Sequence, residues 1–150
     1  MDGRLAASPL GSAPVNRNLI TWIVLVVLIA AGAVAGAVAL ADKRARENVD
    51  LQVAEMTGGD PHRGRVALKD YGCATCHTIP GVAEARGLVG PPLTGFANRV
   101  YVGGVTVNSV EDLIAWIRDP PSLSPRTAMP AVGLPEDAAR DIAAYLYTIR

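Results

Sequence analysis

The sequence predicts an all-α protein: a single N-terminal transmembrane helix, then a small domain of three main helices joined by long loops. Three observations carry this expectation. Asn18 to Ala41 is a run of 24 residues without a charge. Beyond Asp60, apolar residues recur three or four apart in three separate stretches, the spacing of one helix face. No stretch alternates strongly enough to predict a strand.

The first 18 residues are polar, rich in Ser, Pro and Gly and without periodicity, so residues 1–18 are expected to be flexible. Residues 19–41, LITWIVLVVLIAAGAVAGAVALA, form the membrane span. At ~1.5 Å rise per residue the uncharged run makes a helix of about 36 Å, enough to cross a ~30 Å hydrocarbon core with some tilt. Ala39-Leu40-Ala41 resembles a small-x-small cleavage site. Signal peptides, however, have apolar regions of only ~7–15 residues, so a retained anchor is expected. Arg4 and Arg17 precede the span, while Lys43, Arg44 and Arg46 follow it. That balance leans weakly against export of the C-terminal part. Gly32 and Gly36 form a GxxxG beside Ala33 and Ala37, a spacing that lets a neighbouring helix approach closely. Small residues are also common in membrane helices generally, so helix packing through Gly32 and Gly36 is one of two readings.

Residues 42–59, DKRARENVDLQVAEMTGG, read as a linker: a helical extension ending in a glycine hinge. Residues 60–150 then make one small domain with a marginal core. It contains six aromatic residues and most of the eleven prolines in the chain. A bulky apolar group other than side chains is expected to fill its middle. The chain has net charge zero and a pI near 6.7, with neither a basic footprint for nucleic acid nor an acidic tail.

Asp60-Pro61 starts the first helix of this domain, with Asp as N-cap and Pro at the first helical position. Gly64, Ala67, Leu68 and Tyr71 share one face, and Gly72 ends the helix. A Gly/Pro-rich loop covers residues 78–107. Ser109 caps a second helix with Asp112 in the place of the usual Glu. Val110, Leu113, Ile114 and Ile117 form its buried stripe, and Pro120-Pro121 stops it. After another loop, Pro135 starts a last helix whose buried face is Ala138, Ile142, Tyr145, Leu146 and Ile149.

Cys73 and Cys76 are the only cysteines. A redox CxxC would need a βαβ context, and a zinc site would need a fourth ligand; neither is found. With His77 they make C-x-x-C-H, the haem c attachment signal. Two thiols adding to the two vinyl groups pin the ring, and the adjacent imidazole is held under the iron.

With its neighbours, this motif carries a family resemblance. Gly64 on the first helix, CATCH, VGPPL (residues 89–93), TAMP (residues 127–130) and the final AAYLYTIR occur in the order of a mono-haem class I cytochrome c. Residues 60–150 resemble that domain, and the whole chain resembles a membrane-anchored version. The resemblance implies one covalent haem c through Cys73 and Cys76, with His77 and Met129 as iron ligands. Met129 lies 52 residues after His77 between prolines, where the family places its distal Met; core filling is the plainer role for a Met. Pro91 would offer its carbonyl to the His77 imidazole. Trp116 would donate to a haem propionate or be an ordinary core residue, and Arg99 and Tyr101 are weaker propionate candidates. Gly64 and Leu68 would meet Tyr145 and Leu146 where the first and last helices cross. His62 is expected at the surface.

His/Met ligation leaves no open position on iron, which implies a one-electron carrier and not a standalone enzyme. Haem c attachment implies a bacterial cytoplasmic membrane location, single-pass, with the haem domain on the outer side. The implied partners are the membrane and redox proteins, namely a terminal oxidase or a quinol-oxidising complex. Residues 60–150 balance nine Lys/Arg against nine Asp/Glu, which disfavours a strongly steered free encounter. The alternatives are a haem-based sensor or peroxidase-like protein with a labile Met129, and a mainly structural subunit.

Overall fold

The computed structural model describes residues 16–150. The expectation of a flexible N-terminal segment falls, up to residue 15, outside the described residues. Asn16 opens the first helix by accepting from the Asn18 and Leu19 N–H groups at 3.1 and 3.4 Å. Helix α1 then runs unbroken from Arg17 to Thr57. The chain divides into two compact units, one ending at Lys43 and one beginning at Arg44.

In the first unit, α1 is long and apolar enough to cross a membrane, with a mean hydropathy of 2.9 over its most apolar window. A β-carbon on Gly32 or Gly36 would meet nothing within 4 Å, so this small-residue face is open.

The second unit begins with the last turns of α1. Val53 and Thr57 are buried against the domain. The Thr57 hydroxyl donates to the Val53 carbonyl at 2.7 Å and accepts from the Gly59 N–H at 3.1 Å. Arg140 donates to the Thr57 carbonyl at 3.0 Å, satisfying a carbonyl that the helix end leaves without a partner. Gly59 lies against the Arg140 backbone, where a β-carbon would be 2.2 Å from the carbonyl oxygen. The glycine pair is therefore a packed corner where the sequence suggested a hinge.

Helix α2 (Pro61–Asp70) has its expected cap: Asp60 accepts from the His62 and Arg63 N–H groups at 2.7 and 3.2 Å. A short turn of helix, α3 (Cys73–Cys76), follows after Gly72 adopts the left-handed conformation with φ 77°. Helix α4 (Val110–Arg118) is capped by Ser109, whose hydroxyl accepts from the Asp112 N–H at 3.1 Å. One further turn, α5 (Pro120–Leu123), precedes the last helix, α6 (Glu136–Thr148). The main helices expected beyond residue 60 are all present.

One feature departs from the expected layout. A two-residue hairpin, β1 (Tyr101–Val102) with antiparallel β2 (Thr106–Val107), interrupts the long loop. Strands this short carry no alternation signal, and Gly103 and Gly104, both with positive φ, turn the chain between them. At the α2–α6 crossing Gly64 lies against the backbone of Asp141 and Ile142.

This crossing carries an ion pair. Asp141 is 7% exposed and accepts from Arg63 at 2.7 and 2.8 Å and from the Asp60 N–H at 2.6 Å. Burial opposes its ionisation, but Arg63 and the backbone N–H outweigh that and hold the carboxyl below its ordinary range. Leu68, Leu113, Ile142 and the alanines of α6 fill the core beside it.

Candidate functional site

A cavity of about 550 Å³ opens between α2, α4, α6 and the loops. Cys73, Cys76, His77, Pro91, Arg99, Tyr101, Trp116 and Met129 all line it. Leu68, Leu113, Ile117, Ile142 and Leu146 supply apolar walls from three helices. The size and lining suit a large apolar ligand held by a few polar groups.

The motif sits at the start of the lining because α3 curls it into one helical turn. The His77 N–H closes that turn onto the Cys73 carbonyl at 3.0 Å. Neither cysteine is in a disulfide, and both are half-buried. Burial pushes the Cys73 thiol above its ordinary range.

The His77 ring is fixed from behind. Its Nδ1 lies 2.8 Å from the Pro91 carbonyl oxygen, which can only accept, so the proton belongs on Nδ1. That leaves Nε2 as the ring nitrogen able to bind a metal. Gly90 lies under the ring, where a β-carbon would be 2.3 Å from Cε1. Only a residue without a side chain fits there.

Met129 is half-buried, and its N–H donates to the Thr127 hydroxyl at 3.2 Å within the proline-bracketed loop. Trp116 is 8% exposed and packs its ring on Gly103. Tyr101 is exposed at the rim. One Arg99 nitrogen donates to the carbonyls of Pro92 and Thr94. The guanidinium also sits 5.3 Å from the Phe96 ring centre. His62 is exposed, 3.4 Å from Asp50, and does not line the cavity.

Several contacts that shape the site carry no advance signal in the sequence. Gly87 lets the loop pass the backbone of Thr75 and Cys76, where a β-carbon would come within 2.4 Å. Tyr145 reaches the Pro80 carbonyl at 2.7 Å and so ties α6 to the loop after the motif. Asn108 bonds Arg99, Phe96 and Tyr147 together. TAMP pointed to Met129, but nothing marked Thr127 as its neighbour in a hydrogen bond.

The donor set suits a flat apolar group carrying iron. Two cysteines and the histidine that follows them share the cavity with a thioether, and most of the remaining wall is apolar. The residues fit a haem c.

Comparison with known proteins agrees with this geometry. The sequence model described as Cytochrome c matches residues 61–150. Over 105 residues the chain is 33% identical to cytochrome c oxidase subunit 2 of Alkalihalophilus pseudofirmus, covering 69% of this chain and 30% of that protein. Over 69 residues it is 32% identical to the Bacillus subtilis protein of the same name, covering 45% of this chain and 19% of the relative. The chain thus matches less than a third of the length of each of these curated relatives. No solved structure matches it significantly.

Proposed function

The chain belongs to the cytochrome c family, and from that premise we propose that it is a membrane-tethered one-electron carrier. It holds one haem c, linked through Cys73 and Cys76, with His77 and Met129 as the axial ligands. It serves as a subunit of a respiratory complex such as a terminal oxidase, or as a donor attached to one. The observation that carries this reading is the convergence of CxxCH and Met129 on one largely apolar cavity, with His77 already held at Nδ1.

Bound there, haem c would supply a reversible one-electron iron couple. The chain's own residues set the conditions for that couple. Pro91 holds the His77 ring and makes Nε2 a stronger donor. Met129 offers a soft thioether, which favours the reduced state, and the apolar walls keep water away. With His77 and Met129 as its ligands, the bound iron would offer no open position to a substrate. Trp116, Arg99 and Tyr101 line the same cavity and would donate to the haem carboxylates.

Residues 19–41 act as a single-pass anchor in a bacterial cytoplasmic membrane, with residues 60–150 on the outer side. Tethering keeps the carrier at high effective concentration near neighbouring complexes. The two oxidase-subunit relatives support a respiratory role.

Mild solubilisation from the native membrane tests the proposal. The expected result is a low-spin c-type spectrum unaffected by carbon monoxide, with an oxidase or a quinol-oxidising complex co-purifying. Gly32→Leu with Gly36→Leu should weaken co-purification and leave haem content unchanged. A spectrum altered by carbon monoxide in the unsubstituted protein would favour a sensor or a peroxidase-like protein instead.

A further inference from the structure

We propose that Arg99 is a positioning residue for His77, acting through the Pro91–Pro92 turn, and that Asn108 anchors it to the last helix. This rests on the reading of His77 as an iron ligand. Its contribution is distinct from the charge Arg99 brings to the cavity.

The connection can be followed bond by bond. The Pro91 carbonyl accepts from His77 Nδ1 at 2.8 Å. Gly90 and Leu93 tie the two ends of this turn to the Cys76 and Thr78 carbonyls, each at 2.8 Å, but neither Pro91 nor Pro92 between them has a backbone N–H to donate. Within that span Arg99 holds the Pro92 carbonyl: its Nη2 donates there and, at 3.3 Å, to the Thr94 carbonyl. Two carbonyls of one loop thus converge on a single cationic nitrogen, and hydrogen bonds to charged groups are stronger than neutral ones.

Arg99 is itself held at both ends. Its guanidinium stacks over Phe96, which is buried. Its own carbonyl accepts from Asn108 Nδ2 at 3.0 Å, and the same amide nitrogen donates to the Phe96 carbonyl at 3.2 Å. Asn108 Oδ1 in turn accepts from the Tyr147 hydroxyl at 3.0 Å. A continuous path therefore runs from α6 through Asn108 and Arg99 to the turn that orients the imidazole. Asn108 does not line the cavity, so it reaches His77 only through its neighbours, and this path is the connected one.

A lysine at position 99 keeps the charge but is shorter and lacks the planar guanidinium that rests on Phe96 and carries Nη2 to the two carbonyls. The charge and positioning roles therefore separate. The test uses the full-length haem-loaded protein, reduced, with ¹⁵N-histidine labelling; the chain has only two histidines. The readouts are solvent exchange of the His77 Nδ1–H and the reduction potential. Arg99→Lys and Asn108→Asp should each speed that exchange by about fivefold to tenfold, the worth of one hydrogen bond. Arg99→Lys, which conserves charge, should also raise the potential, because a less firmly held imidazole donates less to ferric iron.

If Arg99→Lys leaves the exchange unchanged while Arg99→Gln shifts only the potential and its pH dependence, Arg99 acts by charge alone and the proposal fails. Should Asn108→Asp not fold, Tyr147→Phe removes only the outermost bond and should give a smaller change in the same direction; no change would break the path. A protein whose unsubstituted form shows no iron-bound His77 would overturn the ligand reading itself.

Discussion

Gly64 of α2 and Asp141 of α6 touch backbone to backbone: a β-carbon at position 64 would lie 1.9 Å from the Asp141 carbonyl oxygen. Backbone cannot swing aside as a side-chain tip does, so Gly64→Ala must separate the two helices. The expected cost is about 3 kcal/mol, at the upper end of what overpacking costs. Denaturant unfolding of the haem-loaded protein measures it, and an unchanged midpoint would show that the crossing is looser than described.

Asp141 adds a pH dependence at the same crossing. Its carboxyl is held below the ordinary range in the folded state, so its contribution is full above the unfolded value of about 3.9. It is lost as pH falls through the lower folded value. Asp141→Asn should cost about 2 kcal/mol at pH 7, limited by the exposure of its partner Arg63. The variant's stability should fall less steeply below pH 4 than that of the unsubstituted protein. Parallel acid-unfolding curves would contradict this.

Gly90 has no room for a side chain under the His77 ring. Gly90→Ala should push the imidazole off its Pro91 partner, lower the yield of haem-loaded protein and turn part of the iron high-spin. Electron paramagnetic resonance of the oxidised protein reads this directly. A fully low-spin signal at normal yield would mean that the ring can retreat.

Removing both thiols, Cys73→Ala with Cys76→Ala, should abolish haem that survives denaturing electrophoresis. Persistent haem staining of the double variant would sink the attachment proposal.

Met129→Ala should open the site, convert the iron toward high spin, admit carbon monoxide to the ferrous form and lower the potential. An unchanged spectrum would require a different ligand. His62 is a poor substitute because it lies at the surface beside Asp50.

Much of the fold was legible because its signals are local. Asp60 and Ser109 announce helix starts through bonds to N–H groups two or three residues on, and Pro120 blocks continuation of α4. The hairpin at 101–107 and the single turn of α5 were not legible, since elements this short have no period to detect. The route of α1 through Thr57 into the domain depends on Arg140, a partner 83 residues away. Spacing singled out Cys73, Cys76 and His77, and the family resemblance singled out Met129. By contrast, Asn108, Gly90 and Tyr145 shape the cavity through contacts that only the folded chain creates.

The clasp between the start of α2 and α6 has a consequence for the order of assembly. Asp60 and Asp141 are 81 residues apart in sequence. Closing a loop of that length costs about 4 kcal/mol in chain entropy by the logarithmic law. A ten-residue helix such as α2 is too short to be stable in water alone. Ile142 and Leu146, which form one wall of the cavity, arrive on the same helix that closes the clasp. The domain thus gains its α2 helix, its ion pair and that wall in a single late step. Folding should therefore be cooperative and comparatively slow for so helical a chain, with no half-built cavity accumulating on the way.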